Sequence, residues 1–268
     1  MPDTTTPSRR VRRTWLIIGS LVTVPTLLFG ASSVASALAH EERTEVSEFD
    51  ASGLRSVDIV IDDAAGSIRV VGVDDADMIT VNAHISDGLR ATGHDVRREG
   101  DRLVIEGTCP LFLADWCSVR YTIEMPSDLA VAAEADDGRI TVTDIAGGVE
   151  ASSDNGRVEL ARIEGDIVLH SDNGSVTATG IRGARAEATT DNGEVRLEFV
   201  DPPDDVAATS DNGSVEVVIP DVGAVAYRVD ADSDNGTVSF PIRTDPDGDR
   251  TITATSDNGD VTIAYSLG

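Results

Sequence analysis

An all-β solenoid is the fold this sequence predicts, and three observations predict it. The tetrad Ser/Thr-Asp-Asn-Gly occurs six times, with its glycines at Gly156, Gly174, Gly193, Gly213, Gly236 and Gly259, spaced 18, 19, 20, 23 and 23 residues apart. Periods near 20 are the signature of stacked repeats. Apolar residues recur two apart on both sides of each tetrad, which is the period of a strand with one buried face. No helical period appears beyond residue 50. The core must also be built without many rings, because aromatics are 4% of the 268 residues against 40% hydrophobic overall. That leaves Val, Ile, Leu and Ala to fill it.

The first element is the amino terminus. Arg9, Arg10, Arg12 and Arg13 precede 26 uncharged residues, Thr14 to Ala39. As a helix these would span about 39 Å, enough to cross a hydrocarbon core. The arginines would stay in the cytoplasm and the remainder would lie outside. A cleaved signal peptide competes with the anchor, since Ala37-Leu38-Ala39 has the small-x-small form of a cleavage site. We expect a basic cytoplasmic tail (1–13), a transmembrane anchor (14–39), a linker (40–50), an irregular β segment (51–125) and regular coils (126–268). The cell membrane is thus the first expected partner, and the carboxy-terminal domain is extracytoplasmic.

Charge agrees with this division. The chain holds 48 acidic and 21 basic residues, net −27. The tail carries four Arg and Asp3, net +3, which leaves 17 Arg against 47 acids beyond it. Such an acidic surface repels phosphate backbones, so nucleic acid is not an expected partner. It suits a salt-rich habitat, where repulsion is screened, and equally a coding bias toward Arg and Asp. Every basic residue is Arg. The lack of Lys removes Schiff-base, P-loop and Ser-Lys chemistry.

In the repeats, Val158, Val176, Val195, Val215, Val238 and Val261 stand two residues after each Gly. Leu160, Ala178, Leu197, Val217, Phe240 and Ile263 stand four after. Ala151, Leu169, Ala188, Ala208, Ala231 and Ala254 stand five before, and Val149, Ile167, Ala186, Val206, Val229 and Ile252 seven before. Each repeat reads as strand, turn, strand, with the Asn-Gly step expected to supply positive backbone dihedrals. A degenerate copy surrounds Gly138, and another surrounds Gly66. Hairpins would also satisfy the spacing. Near-identity at equivalent positions favours coils whose strands pair with the equivalent strand of the next repeat.

The run Cys117-Ser-Val-Arg-Tyr-Thr-Ile-Glu-Met-Pro126, followed by units such as Ser153–Leu160, resembles the DUF4097 family of adhesin-like β-solenoid domains. The likeness covers about residues 51–268 and rests on turn-and-strand patterns. It implies a β-helix-like fold of ~18–23-residue coils exported behind a membrane segment, and it brings no functional residues with it.

The turn tetrads then form a predicted ladder. It comprises Asp154-Asn155-Gly156, Asp172-Asn173-Gly174, Asp191-Asn192-Gly193, Asp211-Asn212-Gly213, Asp234-Asn235-Gly236 and Asp257-Asn258-Gly259. Stacked asparagines would share hydrogen bonds about 4.8 Å apart. The preceding Ser153, Ser171, Thr190, Ser210, Ser233 and Ser256 would face inward and satisfy turn backbone. Stacked aspartates repel by roughly 1 kcal/mol per neighbour in water. Asx-turns are the leading expected remedy, with screening by salt and a bridging Ca²⁺ as the others. No cofactor is expected, and Ca²⁺ on the aspartates is the one metal considered.

Cys109 and Cys117 enclose Leu111, Phe112, Leu113 and Trp116. Outside the cell the pair would form a disulfide. The loop reads either as a plug over the open first coil or as a binding loop. Enzyme chemistry finds little support. His170-Ser171-Asp172 resembles a triad in print, but strand neighbours face opposite ways. His40, His84 and His94 have no nucleophile motif beside them.

The expected function is a non-catalytic adhesin-like surface module contacting an envelope glycan or a membrane-protein partner. The alternatives are an accessory or sensor subunit for envelope stress, working with a membrane partner, and a carbohydrate-active β-helix enzyme.

Overall fold

The computed structural model describes residues 40–88, 90–109 and 117–266. The expected transmembrane segment 14–39 lies outside them. Among the described residues every regular element is a strand, and none forms a helix long and apolar enough to cross a membrane.

The amino-terminal strands are β1 (Glu41–Asp50), β2 (Ser56–Val73), β3 (Met78–Asp87), β4 (Gly93–Glu99), β5 (Arg102–Thr108), β6 (Ser118–Pro126) and β7 (Ala130–Ile145). Then come β8 (Val149–Ser153), β9 (Val158–Ile163), β10 (Ile167–Ser171), β11 (Val176–Ile181), β12 (Arg185–Thr190) and β13 (Val195–Phe199). The last are β14 (Asp205–Ser210), β15 (Val215–Ile219), β16 (Arg228–Ser233), β17 (Val238–Ser239), β18 (Thr251–Ser256) and β19 (Val261–Tyr265).

Each coil gives one strand to each of two faces. The strand before the turn joins one face, ordered β5, β2, β7, β8, β10, β12, β14, β18, β16. The strand after it joins the other, ordered β6, β2, β7, β9, β11, β13, β15, β19, β17. The long strands β2 and β7 turn the corner and serve both faces. All these pairings are parallel, and all are in register but for shifts between Ile61 and Ala65 of β2 against β7 and between Thr179 and Ile181 of β11 against β13, so Val149 lies beside Ile167 and Ile167 beside Ala186. The hydrophobic core runs between the faces. Val158, Val176, Val195, Val215 and Val261 are all fully buried in one column, each contributing roughly 1.5–3 kcal/mol.

Three features depart from expectation. Residues 41–50, read as linker, form β1, an edge strand antiparallel to β3. Its apolar Phe49 packs against the core beside neighbours whose alternation matches a strand. The segment 51–125 is more regular than expected, because β5 with β6 and β2 on its own are full coils. Its irregularity is confined to β1, β3 and β4, which pair antiparallel and cover the first edge.

The third departure is the order of stacking. Successive repeats were expected to be neighbours, yet the carboxy-terminal coil β18/β19 inserts between β14/β15 and β16/β17. Apolar content explains the inversion. Ile252, Ala254, Val261 and Ile263 are fully buried there, whereas Phe240 on the outermost coil stays 42% exposed. The coil with less to bury takes the end, where one side faces water. The 220–227 and 240–250 connections supply the chain that steps over a coil and back. They are the extra residues of the two 23-residue periods. The opposite end shows the same device, since β5/β6 lies outside β2 although it follows β2 in sequence.

Candidate functional site

The Asp-Asn-Gly turns line one edge of the solenoid. Five of the six asparagines donate through Nδ2 to the Oδ1 of the asparagine on the neighbouring coil, and Asn155, whose neighbouring coil carries Asp137 in place of Asn, ends the ladder as an acceptor. Asn173 reaches Asn155, Asn192 reaches Asn173, Asn212 reaches Asn192, Asn258 reaches Asn212 and Asn235 reaches Asn258, every contact being 3.0 Å. The second Nδ2 proton goes to the neighbouring aspartate carbonyl, 3.2–3.4 Å away. The amides point one way along the column, so each polarises the next. The Nδ2 donors of these five are used within the ladder.

Behind them stand the hydroxyls. Ser171, Thr190, Ser210 and Ser256 donate to the turn-glycine carbonyl of the adjacent coil at 2.8 Å each, Ser153 does so at 3.2 Å and Ser233 at 2.7 Å. These residues face inward as their alternation requires.

The glycines serve a different purpose from the one expected. None of the six tetrad glycines has a left-handed backbone. A Cβ on Gly174 would instead lie 1.8 Å from the carbonyl oxygen of Gly156, and one on Gly193 would lie 2.1 Å from that of Gly174. The column continues through Gly138 and Gly66, so both degenerate copies belong to the stack. Glycine is present because the next coil's backbone passes where a side chain would be. A second column, Gly147, Gly165 and Gly183, makes the same close approach at another corner. Its 18-residue spacing is present in the sequence, but Gly147, Gly165 and Gly183 lack the preceding Asp-Asn that marks the first column.

The aspartates do not form the expected Asx-turns. Their turn amides are already committed to the neighbouring coil, as in Asp172 N to Ser153 O (3.2 Å) and Asn173 N to Asp154 O (2.8 Å). The parallel ladder runs straight through the turn and leaves the carboxylates to water. Asp154, Asp191, Asp211, Asp234 and Asp257 are exposed. Asp172 meets His170 Nε2 at 2.8 Å. Ser171, between them in sequence, is fully buried on the other side of the strand, so no triad forms. Among the described residues no group of three or more His, Cys, Asp or Glu side chains is gathered so as to hold a metal.

Cys109 and Cys117 are bonded, with Cα atoms 6.0 Å apart. They join the end of β5 to the start of β6, at the corner that Asn-Gly occupies in later coils. Cys109 N bonds Asp62 O at the corner of β2 (3.3 Å). Leu111, Phe112, Leu113 and Trp116 lie outside the described residues. His84 and His94 sit on the antiparallel cover. Burial lowers the His94 pKa, and its Nδ1 lies 2.9 Å from Tyr121 Oη, which donates to Glu106 O.

A search of curated proteins found no match. Among solved structures, a "putative adhesin" from Bacteroides fragilis is 12% identical, with a TM-score of 0.48, covering 84% of this chain and 97% of its own. A "putative cell adhesion protein" from Clostridium sporogenes is 9% identical, with a TM-score of 0.43, covering 84% and 100%. A "putative adhesin" from Parabacteroides distasonis is 11% identical, with a TM-score of 0.37, covering 84% and 97%. The model of the Toastrack DUF4097 family matches residues 127–264, from just before β7 into β19. With that match spanning half the sequence, the chain belongs to the DUF4097 family.

Proposed function

We propose that the chain is a non-catalytic interaction module, held outside the cell behind an amino-terminal membrane segment, that contacts an envelope glycan or a membrane-protein partner. One observation carries this reading. Five of the six asparagines donate to the next one along the ladder, while Asp154, Asp191, Asp211, Asp234 and Asp257 beside them stand exposed at positions fixed by the coil spacing, with Asp172 held by His170. The edge therefore offers regularly spaced acceptors on a backbone that has no freedom to rearrange. Hydroxyl-rich or cationic partners complement such a row. The long uncharged segment 14–39 and the disulfide support placement outside the cytoplasm.

The test is a binding screen of the full chain against glycans and envelope components, with and without Ca²⁺. It is repeated with Asp172→Asn, Asp191→Asn and Asp211→Asn combined. A ligand retained by the parent and lost by the triple variant supports the edge. Undiminished binding by that variant, or release of cleaved glycan during the screen, would overturn the reading. Protease treatment of intact cells checks the location, since an extracytoplasmic domain is digested and a cytoplasmic one is not.

A further inference from the structure

The outer face of β6, β2 and β7 carries a basic checkerboard. Ser67 on β2 pairs with Arg120 on β6 to one side and Arg139 on β7 to the other. Two residues along, Arg69 on β2 pairs with Thr122 and Thr141 on the same two strands. Residues two apart in a strand share a face, and adjacent strands lie about 4.8 Å apart. Three arginines and three hydroxyls therefore alternate over two rows. Together they line a depression of about 320 Å³.

Charge makes this patch unusual in a chain of net −27. Arg139 has a loose acidic neighbour, Glu159, at 3.9 Å, and Glu159 is shared with Arg157 at 3.4 Å. Among the described residues Arg69 and Arg120 have no carboxylate within ion-pair distance. Most other arginines with this much acid available are paired, as Arg97 is to Glu106 and Arg162 to Asp144. The next residue outward on β3, opposite Thr122, is Asn82, able to donate, while His84, opposite Arg120, is turned to β1, with Nδ1 3.2 Å from Thr44 Oγ1 and Nε2 3.9 Å from Glu42.

We infer that the Arg69–Arg120–Arg139 depression binds a tetrahedral oxyanion, a phosphate or sulfate monoester on an otherwise neutral carrier. Guanidinium forks from three neighbouring strands approach from different sides, with hydroxyls between them. A tetrahedral anion uses that arrangement, whereas a planar carboxylate is satisfied by one fork. The patch is bounded by Glu124 on β6, Asp137 on β7 and Glu159 on β9, so a compact charge fits and an extended polyanion overruns into repulsion. This site is separate from the aspartate edge and does not depend on the role given to it.

The experiment is calorimetric titration of the full chain with glucose 6-phosphate, glucose 6-sulfate, inorganic phosphate, acetate and dextran sulfate. The two esters distinguish phosphate from sulfate as the source of the oxyanion. We expect saturable one-to-one binding of at least one ester, weakened by added NaCl. Arg69→Gln and Arg120→Gln should each reduce affinity by about tenfold or more, the scale of one charge-assisted contact. Arg185→Gln, a remote exposed arginine, should leave it unchanged. These side chains are exposed, so melting temperatures should match the parent. No saturable ester binding, equal loss in Arg185→Gln, acetate binding as tight as either ester, or dextran sulfate binding tighter per site would each overturn the assignment.

Discussion

Replacing Gly174 with alanine forces the glycine column to open. The new Cβ would lie 1.8 Å from Gly156 O, against a closest ordinary approach of about 3.0 Å. The two coils must separate locally by roughly 1 Å. Five contacts cross that gap: Ser171 Oγ to Gly156 O (2.8 Å), Asn173 N to Asp154 O (2.8 Å), Asp172 N to Ser153 O (3.2 Å), and Asn173 Nδ2 to Asn155 Oδ1 (3.0 Å) and to Asp154 O (3.3 Å). Each stretches beyond useful length. At roughly 0.5–1.5 kcal/mol apiece, with the exposed bonds at the low end, the loss comes to about 2–4 kcal/mol. The matched control is Gly148→Ala. A Cβ there meets nothing nearer than Asp166 O at 3.4 Å, and the backbone is not left-handed. That change should be neutral, or stabilising by about 0.4–1 kcal/mol through the unfolded chain. Urea unfolding followed by circular dichroism measures both. A Gly174→Ala midpoint equal to that of Gly148→Ala would refute the close-approach argument.

Three further outcomes follow from single contacts. Cys109→Ser with Cys117→Ser should lower stability by roughly 2–3 kcal/mol on the loop-entropy scale, as should thiol reduction of the parent, and thermal melts will show it. Tyr227→Phe removes a buried hydroxyl with no hydrogen-bond partner among the described residues; it should be neutral or stabilising by about 1 kcal/mol, and a clear loss of stability would contradict the burial described. His94 has its pKa lowered by burial, so the unfolded chain binds its proton more readily. Its contribution is complete above the unfolded pKa of about 6.5 and is lost as pH falls below that value toward the folded one. His94→Gln should flatten that part of the urea-midpoint profile.

The sequence made the stacking legible wherever identical residues recur. The valine column, the inward Ser/Thr and the Asn ladder all follow from tetrads that pair in register. It concealed the order of the last two coils, because Arg228–Ser233 and Thr251–Ser256 each present a strand that fits beside Asp205–Ser210. Buried area decided between them. The fate of the aspartates was hidden for a related reason. An Asx-turn needs free turn amides, and those amides belong to the next coil, a contact some 20 residues away in sequence. The arginine checkerboard depends on β6 lying beside β2, and no local pattern announces that pairing. Strand β1 carries no local mark of a strand because its partner β3 lies beyond the following coil.

Paired cysteines test the stacked order most directly. In-register strands place Cα atoms of neighbouring coils about 4.8 Å apart, within disulfide range, and those two coils away at about twice that, outside it. Asn212→Cys with Asn258→Cys should cross-link on mild oxidation, read as a mobility shift and by peptide mass. Asn212→Cys with Asn235→Cys should not. A bond between positions 212 and 235 in preference to 212 and 258 would contradict the inserted carboxy-terminal coil, and no bond in either pair would contradict the stacked turns themselves.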